Sequence, residues 1–564
     1  MIMDLTPEEQ RILAGENGEA ARIAMAVLVD LGTVFGADRL IPVAQVHIDT
    51  TLYMVDAGVE FAERMAATGG RFCVPASLNP AAIDLLHPER MRVPADLLEN
   101  SRRLERAYLS MGAAPTWTCA PYQQGLVPRF GQQIAWAESN AIVFANSVIG
   151  ARTNRYGDLM DICVAIVGKA PCFGLHLEAN RHADLVIDAS TLPRPVLCDP
   201  ASYPLLGYIV GELAGDRIPA IVGIPADVPV RALKAFGAAA ASSGAVGLFH
   251  MVGVTPEAGS LELCTGGRKT EETHVVTAKD LAGTAEKLSD PDLTRPNLVV
   301  VGCPHYSYPE MATLAQLLNG RRVHPDVACW AFTSRAVYGW MEHSGLLQAL
   351  TNTGVTVFTD ACPLQYPKTA WSFAAAPERF GQVRQLLFFP DRPAVGHRLP
   401  LRMRGSRRDG PPCAGKISME KILKGCPVVS GRASGAVLKS DRSISFWGGV
   451  DPHTGQIIDP RHDLFGQSVA GRVLAFPVGK GSSTGSLIML ELARVGLAPA
   501  AIVTIHCEPI LATGPIVIKH FYGDQIPVMT LSAEDFARLE TGRQVVVDAV
   551  VGEVRFYIDK KRPS

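Results

Sequence analysis

The sequence predicts an α/β protein: a large first region built on parallel sheets, followed by a smaller β-rich domain. Two observations predict this fold class. As far as about residue 390, short β-branched runs alternate with segments of helical spacing, as in layered α/β folds. Beyond a basic stretch near residue 400, the sequence becomes rich in Val, Ile and Gly. The 564 residues are enough for more than one domain.

Composition excludes several classes of protein. Lys and Arg number 53 against 55 Asp and Glu, so the net charge of −2 gives no basic field for nucleic acid. The 12 cysteines form no CxxC pair and are expected to be free thiols in a reducing compartment. The start, MIMDLTPEEQ, has no apolar signal-peptide segment, and the apolar residues 232–254 are expected in a buried helix and strand. We therefore expect a soluble cytoplasmic protein with no membrane span.

The N-terminal helices are predicted from caps and spacing. Thr6 provides an N-cap and Glu9 completes a capping box. Apolar residues between positions 20 and 31 then follow helical spacing. Gly32 is expected to end this second helix.

The domain boundaries are expected where the composition changes. Residues 297–301 and 355–359 predict strands of the first region, which is placed at residues 1–395. An arginine-rich stretch containing Gly and Pro follows without an apolar period, and it predicts a linker over residues 396–424. A nucleic-acid contact is the alternative for its basic run. The β-rich domain is then residues 425–564.

A glycine-rich loop is the clearest local motif of the C-terminal domain. Residues 473–477 predict a strand, residues 479–486 read GKGSSTGS, and residues 487–495 predict a helix. Backbone N–H groups and the helix dipole favour an anion at such a loop. The spacing matches neither a Walker A loop nor a GxGxxG fingerprint. A functional anion loop and a simple capped turn both remain open from these residues alone.

Longer motifs resemble those of one family. SFWGGVDP at residues 445–452 and IDPRH at 458–462 precede the loop, while TCAPY at 118–122, AWAES at 135–139 and GCPH at 302–305 lie in the first region. Together they resemble the aconitase X family, a branch of the aconitase superfamily. The resemblance extends over nearly the whole chain. It implies a multi-layer aconitase-like catalytic region with parallel sheets and a C-terminal swivel domain in one polypeptide.

The resemblance also implies an activity and a cofactor. Members of that family are metal-dependent dehydratases, and the ligands of a three-cysteine iron–sulfur cluster, of 2Fe–2S or 4Fe–4S type, would here be Cys119, Cys303 and Cys362. Fused bacterial members resemble dehydratases of cis-3-hydroxy-L-proline, which form Δ1-pyrroline-2-carboxylate. Mevalonate 5-phosphate or another hydroxy acid is the alternative substrate. A non-catalytic, iron-sensing RNA-binding protein is the alternative of another class, and the oligomeric state stays open.

The expected chemistry assigns roles to individual residues. Ser482 is expected to abstract the α-proton as an alkoxide, because loop N–H groups, a helix N-terminus and Lys480 favour negative charge. The open iron of a three-cysteine cluster would bind the leaving hydroxyl as a Lewis acid. Cys303 and Cys362 are both expected just after strands, where ligands of α/β sheets lie. The residues expected to bind substrate or cluster are Ser483, Glu138, Asn146, Arg152, Thr153, Asn154, Lys169 and His176.

Overall fold

The computed structural model describes residues 3–91, 93–270, 272–289, 296–365 and 419–557. The predicted linker covers residues 396–424, and its residues 396–418 lie outside the described ranges. Its last residues are in the C-terminal domain, because a strand that begins at Met419 pairs with the last strand that the structure describes, Glu553–Tyr557.

The first unit of the chain packs helices around two small sheets. Its elements are α1 (Pro7–Leu13), α2 (Glu19–Val34), β1 (Leu40–Pro42), β2 (Val46–Ile48), α3 (Asp56–Ala67), β3 (Ala76–Leu78), α4 (Ala95–Met111), β4 (Ala135–Trp136), α5 (Ser139–Phe144), α6 (Met160–Val167) and β5 (Lys169–Pro171). The parallel sheet has the order β3-β2-β4, and β1 pairs antiparallel with β5. The predicted capping box of α1 is confirmed. The prediction that Gly32 ends α2 is wrong, because the helix continues to Val34. The missing Cβ of Gly32 instead leaves room for Met3 and Pro171 to pack against the helix.

The second and third units each contain a parallel sheet. Their elements are β6 (Leu185–Asp188), α7 (Arg194–Cys198), α8 (Ser202–Ala214), β7 (Pro219–Val222), α9 (Val230–Ser243), β8 (His250–Met251), α10 (Leu261–Thr265), β9 (Thr273–Val275), α11 (Ala278–Leu288), β10 (Leu298–Tyr306), α12 (Tyr308–Leu318), β11 (Ala328–Thr333), α13 (Arg335–Ser344), α14 (Leu346–Asn352) and β12 (Val355–Thr359). The strand orders are β8-β7-β6-β9 and β10-β11-β12. The predicted α/β class is therefore confirmed.

The C-terminal unit is a closed barrel with helices on its outside. Its elements are β13 (Met419–Val429), β14 (Arg432–Lys439), β15 (Val473–Ala475), α15 (Gly485–Arg494), β16 (Ala501–Thr504), α16 (Pro509–Phe521), β17 (Val528–Leu531), α17 (Ala533–Ala537), β18 (Gln544–Asp548) and β19 (Glu553–Tyr557). The strand order around the barrel is β13-β17-β16-β15-β14-β18-β19. The strand, loop and helix predicted around GKGSSTGS are confirmed, with the helix beginning at Gly485.

The barrel domain packs against the first unit through a shared apolar core. Buried residues of both parts belong to one hydrophobic cluster, and α16 packs along α2. Polar contacts add to it: Glu491 Oε2 accepts a hydrogen bond from Ala57 N at 2.9 Å, at the start of α3. The barrel is therefore held against the first unit, with α15 beside α3. In the described part of the chain, no helix is long and apolar enough to cross a membrane.

Candidate active site

A cavity of about 850 Å³ lies where the first, second and third units meet the barrel. The lining residues include the predicted cluster cysteines Cys119, Cys303 and Cys362 and the predicted base Ser482. These residues are far apart in the sequence. The fold therefore brings all four of them to one cavity.

The three cysteines reach the cavity from different backbone settings. Cys119 lies in a loop and its Sγ accepts a hydrogen bond from His305 N at 3.3 Å. Cys362 follows β12, as predicted, and its N donates to Ala81 O at 3.0 Å. Cys303 does not follow a strand: β10 continues past Val301 through an irregular register to Tyr306.

The irregularity in β10 has a local cause. Gly302 has a φ of +97°, and a Cβ there would collide with the backbone of Phe332 in the neighbouring strand β11. The left-handed conformation at Gly302 interrupts the regular pairing of β10 with β11. Cys303, the next residue, lines the cavity.

The three thiols have the chemistry to bind one cationic group together. Burial raises the pKa of the Cys119 and Cys303 thiols well above the ordinary value. A nearby cation is the usual way to stabilise buried thiolates. Within the described ranges, no three His, Cys, Asp or Glu side chains converge on a single ion. An iron–sulfur cluster does not need that convergence, because its cysteine ligands are spread over two or more iron atoms.

Glu138 is the acidic side chain beside the cysteines. It lines the cavity and forms the N-cap of α5, where its Oε2 accepts a hydrogen bond from Ala141 N at 2.7 Å. Asn140 donates to the same oxygen and also to Cys119 O, the latter at 2.9 Å. Burial, with the negative charge of Asp49, raises the pKa of Glu138 to about 8. A positively charged ligand group would stabilise its ionised form.

The serine loop, residues 479–485, places Ser482 at the cavity wall. Thr484 N donates a hydrogen bond to Ser482 Oγ at 3.3 Å, and the Thr484 hydroxyl lies 3.1 Å from the same oxygen. Gly481 has a φ of +94°, and a Cβ there would meet the Ser445 side chain. Arg155 Nη2 donates to Gly481 O at 3.0 Å. The loop therefore presents the Ser482 oxygen to the cavity with donors beside it.

Ser483 points the other way. It is buried, and its hydroxyl donates to Asp49 Oδ2 in the first unit. Asp158 N donates to Ser483 O at 3.1 Å, which also ties the loop to the first unit. Ser482 and Thr484 line the cavity and Ser483 does not. The expected substrate contact of Ser483 is therefore replaced by a contact between two domains.

The polar run after Glu138 serves the packing of the first unit on the second. Asn146 lies in a π-helical turn and donates to Thr153 O and Gly247 O at 2.9 Å each. Arg152 pairs with Glu257 at 2.9 Å. Neither Asn146, Arg152 nor Thr153 lines the cavity, because neighbouring chain segments already use their polar groups.

The other three expected residues also lie away from the cavity. Asn154 binds the backbone of Phe173, Lys169 pairs with Glu9 at 2.7 Å, and His176 Nδ1 contacts Gln133 Oε1 at 2.6 Å. The functional roles expected for these side chains have no support in the geometry. Their polar groups instead join the N-terminal helices and loops of the first unit.

Sequence reasoning missed Asp49, which lines the cavity and is buried. It accepts hydrogen bonds from Asn79 and from Ser483. The sequence did contain a signal for Asp49, because this residue directly follows strand β2. Ligands of α/β sheets lie at the carboxyl ends of strands, and this rule, used above for Cys362, applies equally to Asp49. Lys480, Arg442 and Arg461 also line the cavity and supply cationic side chains on the barrel side.

Comparison with known proteins assigns four segments of the chain to one family. Residues 2–179, 183–286 and 296–376 match the aconitase X first, second and third domains, and residues 422–556 match the aconitase X swivel domain. The predicted single catalytic region thus corresponds to three domains of that family.

Individual relatives agree with this assignment. A cis-3-hydroxy-L-proline dehydratase of Pseudomonas aeruginosa is 45% identical over 355 residues, which are 63% of this chain and 61% of that protein. The phosphomevalonate dehydratase large subunit of Methanosarcina mazei is 36% identical over 65% of this chain and 88% of its own length. The crystal structure of holo-form aconitase X from Thermococcus kodakaraensis has a TM-score of 0.59 and 35% identity, covering 65% of this chain and 91% of that one.

Proposed function

Since the chain belongs to the aconitase X family, we propose that it removes water from cis-3-hydroxy-L-proline and forms Δ1-pyrroline-2-carboxylate. The observation that carries the proposal is the common cavity of Cys119, Cys303, Cys362 and Ser482. Such a dehydration needs a base for the proton α to the carboxylate and help for the departing hydroxyl. The similarity to the Pseudomonas enzyme supports this choice of substrate.

The three cysteines would hold an iron–sulfur cluster of 2Fe–2S or 4Fe–4S type. When bound, such a cluster supplies a Lewis acid for the leaving hydroxyl, since three protein ligands leave one iron site open. Burial of the Cys119 and Cys303 thiols supports the assignment, because their anionic forms need a cation nearby.

Ser482 is the proposed base. Its oxygen accepts a hydrogen bond from Thr484 N at 3.3 Å, at the N-terminal end of the ten-residue helix α15. Both the donor and the helix dipole stabilise negative charge on that oxygen. Ser482 Oγ would take the α-proton of the substrate and pass it to solvent after the product leaves.

The charged groups of the cavity suit the two charges of the substrate. Cis-3-hydroxy-L-proline carries a carboxylate and a secondary ammonium group. Lys480 and Arg442, on the barrel side, are placed to attract the carboxylate, and Glu138, beside Cys119, is placed to attract the ammonium. A half-buried carboxyl with a raised pKa and no cationic partner within the described residues would favour a ligand that brings its own positive charge.

The phosphorylated alternative receives less support from the same cavity. Mevalonate 5-phosphate has no ammonium group and brings additional negative charge next to Glu138 and Asp49. Two of the cations in the lining, Arg461 and Lys287, pair with carboxylates of the same lining, at 3.2 Å and 2.5 Å. The identity to the Methanosarcina protein keeps this substrate as the second candidate.

The test is turnover by protein purified and reconstituted with iron and sulfide without oxygen. We expect loss of cis-3-hydroxy-L-proline with formation of Δ1-pyrroline-2-carboxylate, and no reaction of mevalonate 5-phosphate. Trans-4-hydroxy-L-proline is the matched control, because its hydroxyl is not on the carbon next to the α-carbon. Turnover of mevalonate 5-phosphate alone would select the second candidate, and no turnover of either by iron-loaded protein would remove both.

A further inference from the structure

Beneath the serine loop, two buried carboxyl groups face each other. Asp49 follows β2 and Asp158 precedes α6, and both meet Ser483: the Ser483 hydroxyl donates to Asp49 Oδ2, and the Ser483 carbonyl accepts from Asp158 N at 3.1 Å. The two carboxyl groups are close enough to shift each other's pKa. Asp49 is 5% exposed and Asp158 is 1% exposed. Two carboxylates this close in a buried site repel each other strongly, and the usual outcome is that the pair shares one proton.

The hydrogen bonds indicate which of the two carries the proton. Asp49 accepts hydrogen bonds from Ser483 and Asn79, which favour its ionised form. Neither carboxyl oxygen of Asp158 has a described donor within hydrogen-bond distance, although Thr484 lies close by. A neutral Asp158 satisfies both groups, because its O–H then donates to Asp49.

We propose that Asp158 is a positioning residue: its proton, shared with Asp49, keeps Asp49 as the acceptor of Ser483 and so holds the serine loop against the cavity. The inference rests on the proposed function only in taking Ser482 as the reacting base. Asp158 does not line the cavity. It acts through Asp49, Ser483 and the position of the loop.

The surroundings of the pair contain other acids and no ion-pair partner in the described residues. Asp161 accepts a hydrogen bond from Asp49 N at 2.6 Å. Tyr108 and Glu138 are near enough for the negative charge of Asp49 to raise the pKa of both. His47 binds Asn79, and burial lowers its pKa to about 3, so it is neutral. Burial, then the charges of Asp49 and Asp161, raise the pKa of Asp158 well above its ordinary value.

The contact that the Asp158 proton supports depends on pH in one direction. Asp158 is protonated in the folded protein at pH values where an unfolded aspartate is already ionised, so the contact is formed below the folded pKa of Asp158 wherever Asp49 is ionised. As the pH rises through the folded pKa of Asp158, a second negative charge forms beside Asp49. The repulsion weakens the link from Asp49 to Ser483, and the loop loosens on the alkaline side.

The test compares hydrogen–deuterium exchange of residues 479–485 in wild type, Asp158→Asn and Asp158→Ala across pH, without substrate and corrected for intrinsic rates. The asparagine amide donates to Asp49 at every pH, so we expect Asp158→Asn to abolish the alkaline rise in exchange. Asp158→Ala has no donor and should exchange fast at every pH. The same alkaline rise in wild type and Asp158→Asn would overturn the proposal.

Turnover of cis-3-hydroxy-L-proline gives the second measurement. We expect Asp158→Asn to keep kcat within about tenfold of wild type. Asp49→Asn should lose about 10²-fold, because its amide cannot accept from both Ser483 and Asn79. Equal losses in the two variants would overturn the assignment of the proton to Asp158. If wild type turns over no substrate, the proposed function fails, and the exchange measurement still decides the role of Asp158.

Discussion

Two adjacent serines at the tip of the serine loop have different surroundings. Ser482 faces the cavity with Thr484 N as a donor, whereas Ser483 is buried and donates to Asp49 across a domain boundary. Two identical side chains at neighbouring positions thus have different roles: Ser482 is the proposed base, and Ser483 holds the loop in position. The difference follows from the turn at Gly481, which sets the direction of each side chain.

The first prediction concerns Ser482. Ser482→Ala removes the proposed base and should lower kcat by about 10²- to 10⁴-fold with iron content unchanged. Ser443, on another loop of the same cavity lining, is the matched control, and Ser443→Ala should retain most activity. Steady-state turnover at equal iron loading is the measurement. Near-normal activity of Ser482→Ala would show that another group takes the α-proton.

The second prediction concerns the proposed cluster ligands. Cys303→Ala should abolish stable iron binding after anaerobic reconstitution, because one of three thiolates is lost. Cys426, an exposed thiol on β13, provides the control, and Cys426→Ala should bind iron like wild type. Iron per chain and the visible absorption of the cluster are the measurements. Full iron occupancy in Cys303→Ala would exclude this cysteine from the ligand set.

At the scale of elements, glycines shape the segments that carry the site. Gly302 interrupts the regular pairing of β10 just before Cys303, and Gly481 turns the loop just before Ser482. Both have positive φ and both lack room for a Cβ. Cys303 and Ser482 therefore each follow a backbone position that only glycine occupies without strain.

The third prediction tests this requirement at Gly481. Gly481→Ala adds a Cβ that would meet Ser445 Oγ at 2.5 Å, so either the loop shifts or Ser445 gives up its hydrogen bond to Trp447 O. Gly496→Ala is the matched control: its φ is also positive, at +74°, but no atom lies within 4 Å of the new Cβ. Both variants should lose about 1 kcal/mol of stability. Only Gly481→Ala should lose activity, by about 10²-fold, and equal activity of the two would contradict the positional role of the loop.

At the scale of the whole molecule, the site exists only while the barrel is held on the first unit. The shared apolar core supplies the area of contact, and ion pairs surround it. In one group of ion pairs, Asp30 Oδ2 of α2 lies 2.7 Å from Lys519 Nζ and 2.8 Å from His520 Nε2, both on α16. Loss of this docking would separate Ser482 from the cysteines without changing either domain.

The fourth prediction concerns the pH dependence of that docking. Burial alone would raise the pKa of Asp30, but hydrogen bonds from His520 and Lys519 hold it below its ordinary 3.8. The Asp30 ion pairs therefore contribute fully to the free energy of unfolding above the ordinary aspartate pKa of 3.8. This contribution is lost as the pH falls through the lower pKa of Asp30 in the folded protein. Asp30→Asn should lower the unfolding midpoint by about 2 °C at neutral pH and by less in acid, as measured by calorimetry.

The control for this prediction is the exposed pair of Asp38 with Arg39. Asp38→Asn removes a carboxylate near the same helix but not at the domain boundary, so its effect on the midpoint should be small at every pH. An equal effect of Asp30→Asn at neutral and acid pH would exclude the charge as the source of the stabilisation.

The sequence by itself determined the features that depend on local spacing. The α/β layering, the capped helix α1, strand β12 and the turn from β15 into α15 all follow from apolar periods, caps and glycines within a few residues. The three cysteines were selected by resemblance alone. Their common cavity with Ser482 is a property of the folded chain.

Only the tertiary structure decided which polar residues face the cavity. Arg152 and Asn146 have the chemistry of ligand binders, yet neighbouring segments use their hydrogen bonds. Asp49 and Asp158 have no shared pattern in the sequence, and the fold brings them together beneath the serine loop. The physical reason is that burial and hydrogen-bond partners are set by contacts between distant segments, which no local spacing records.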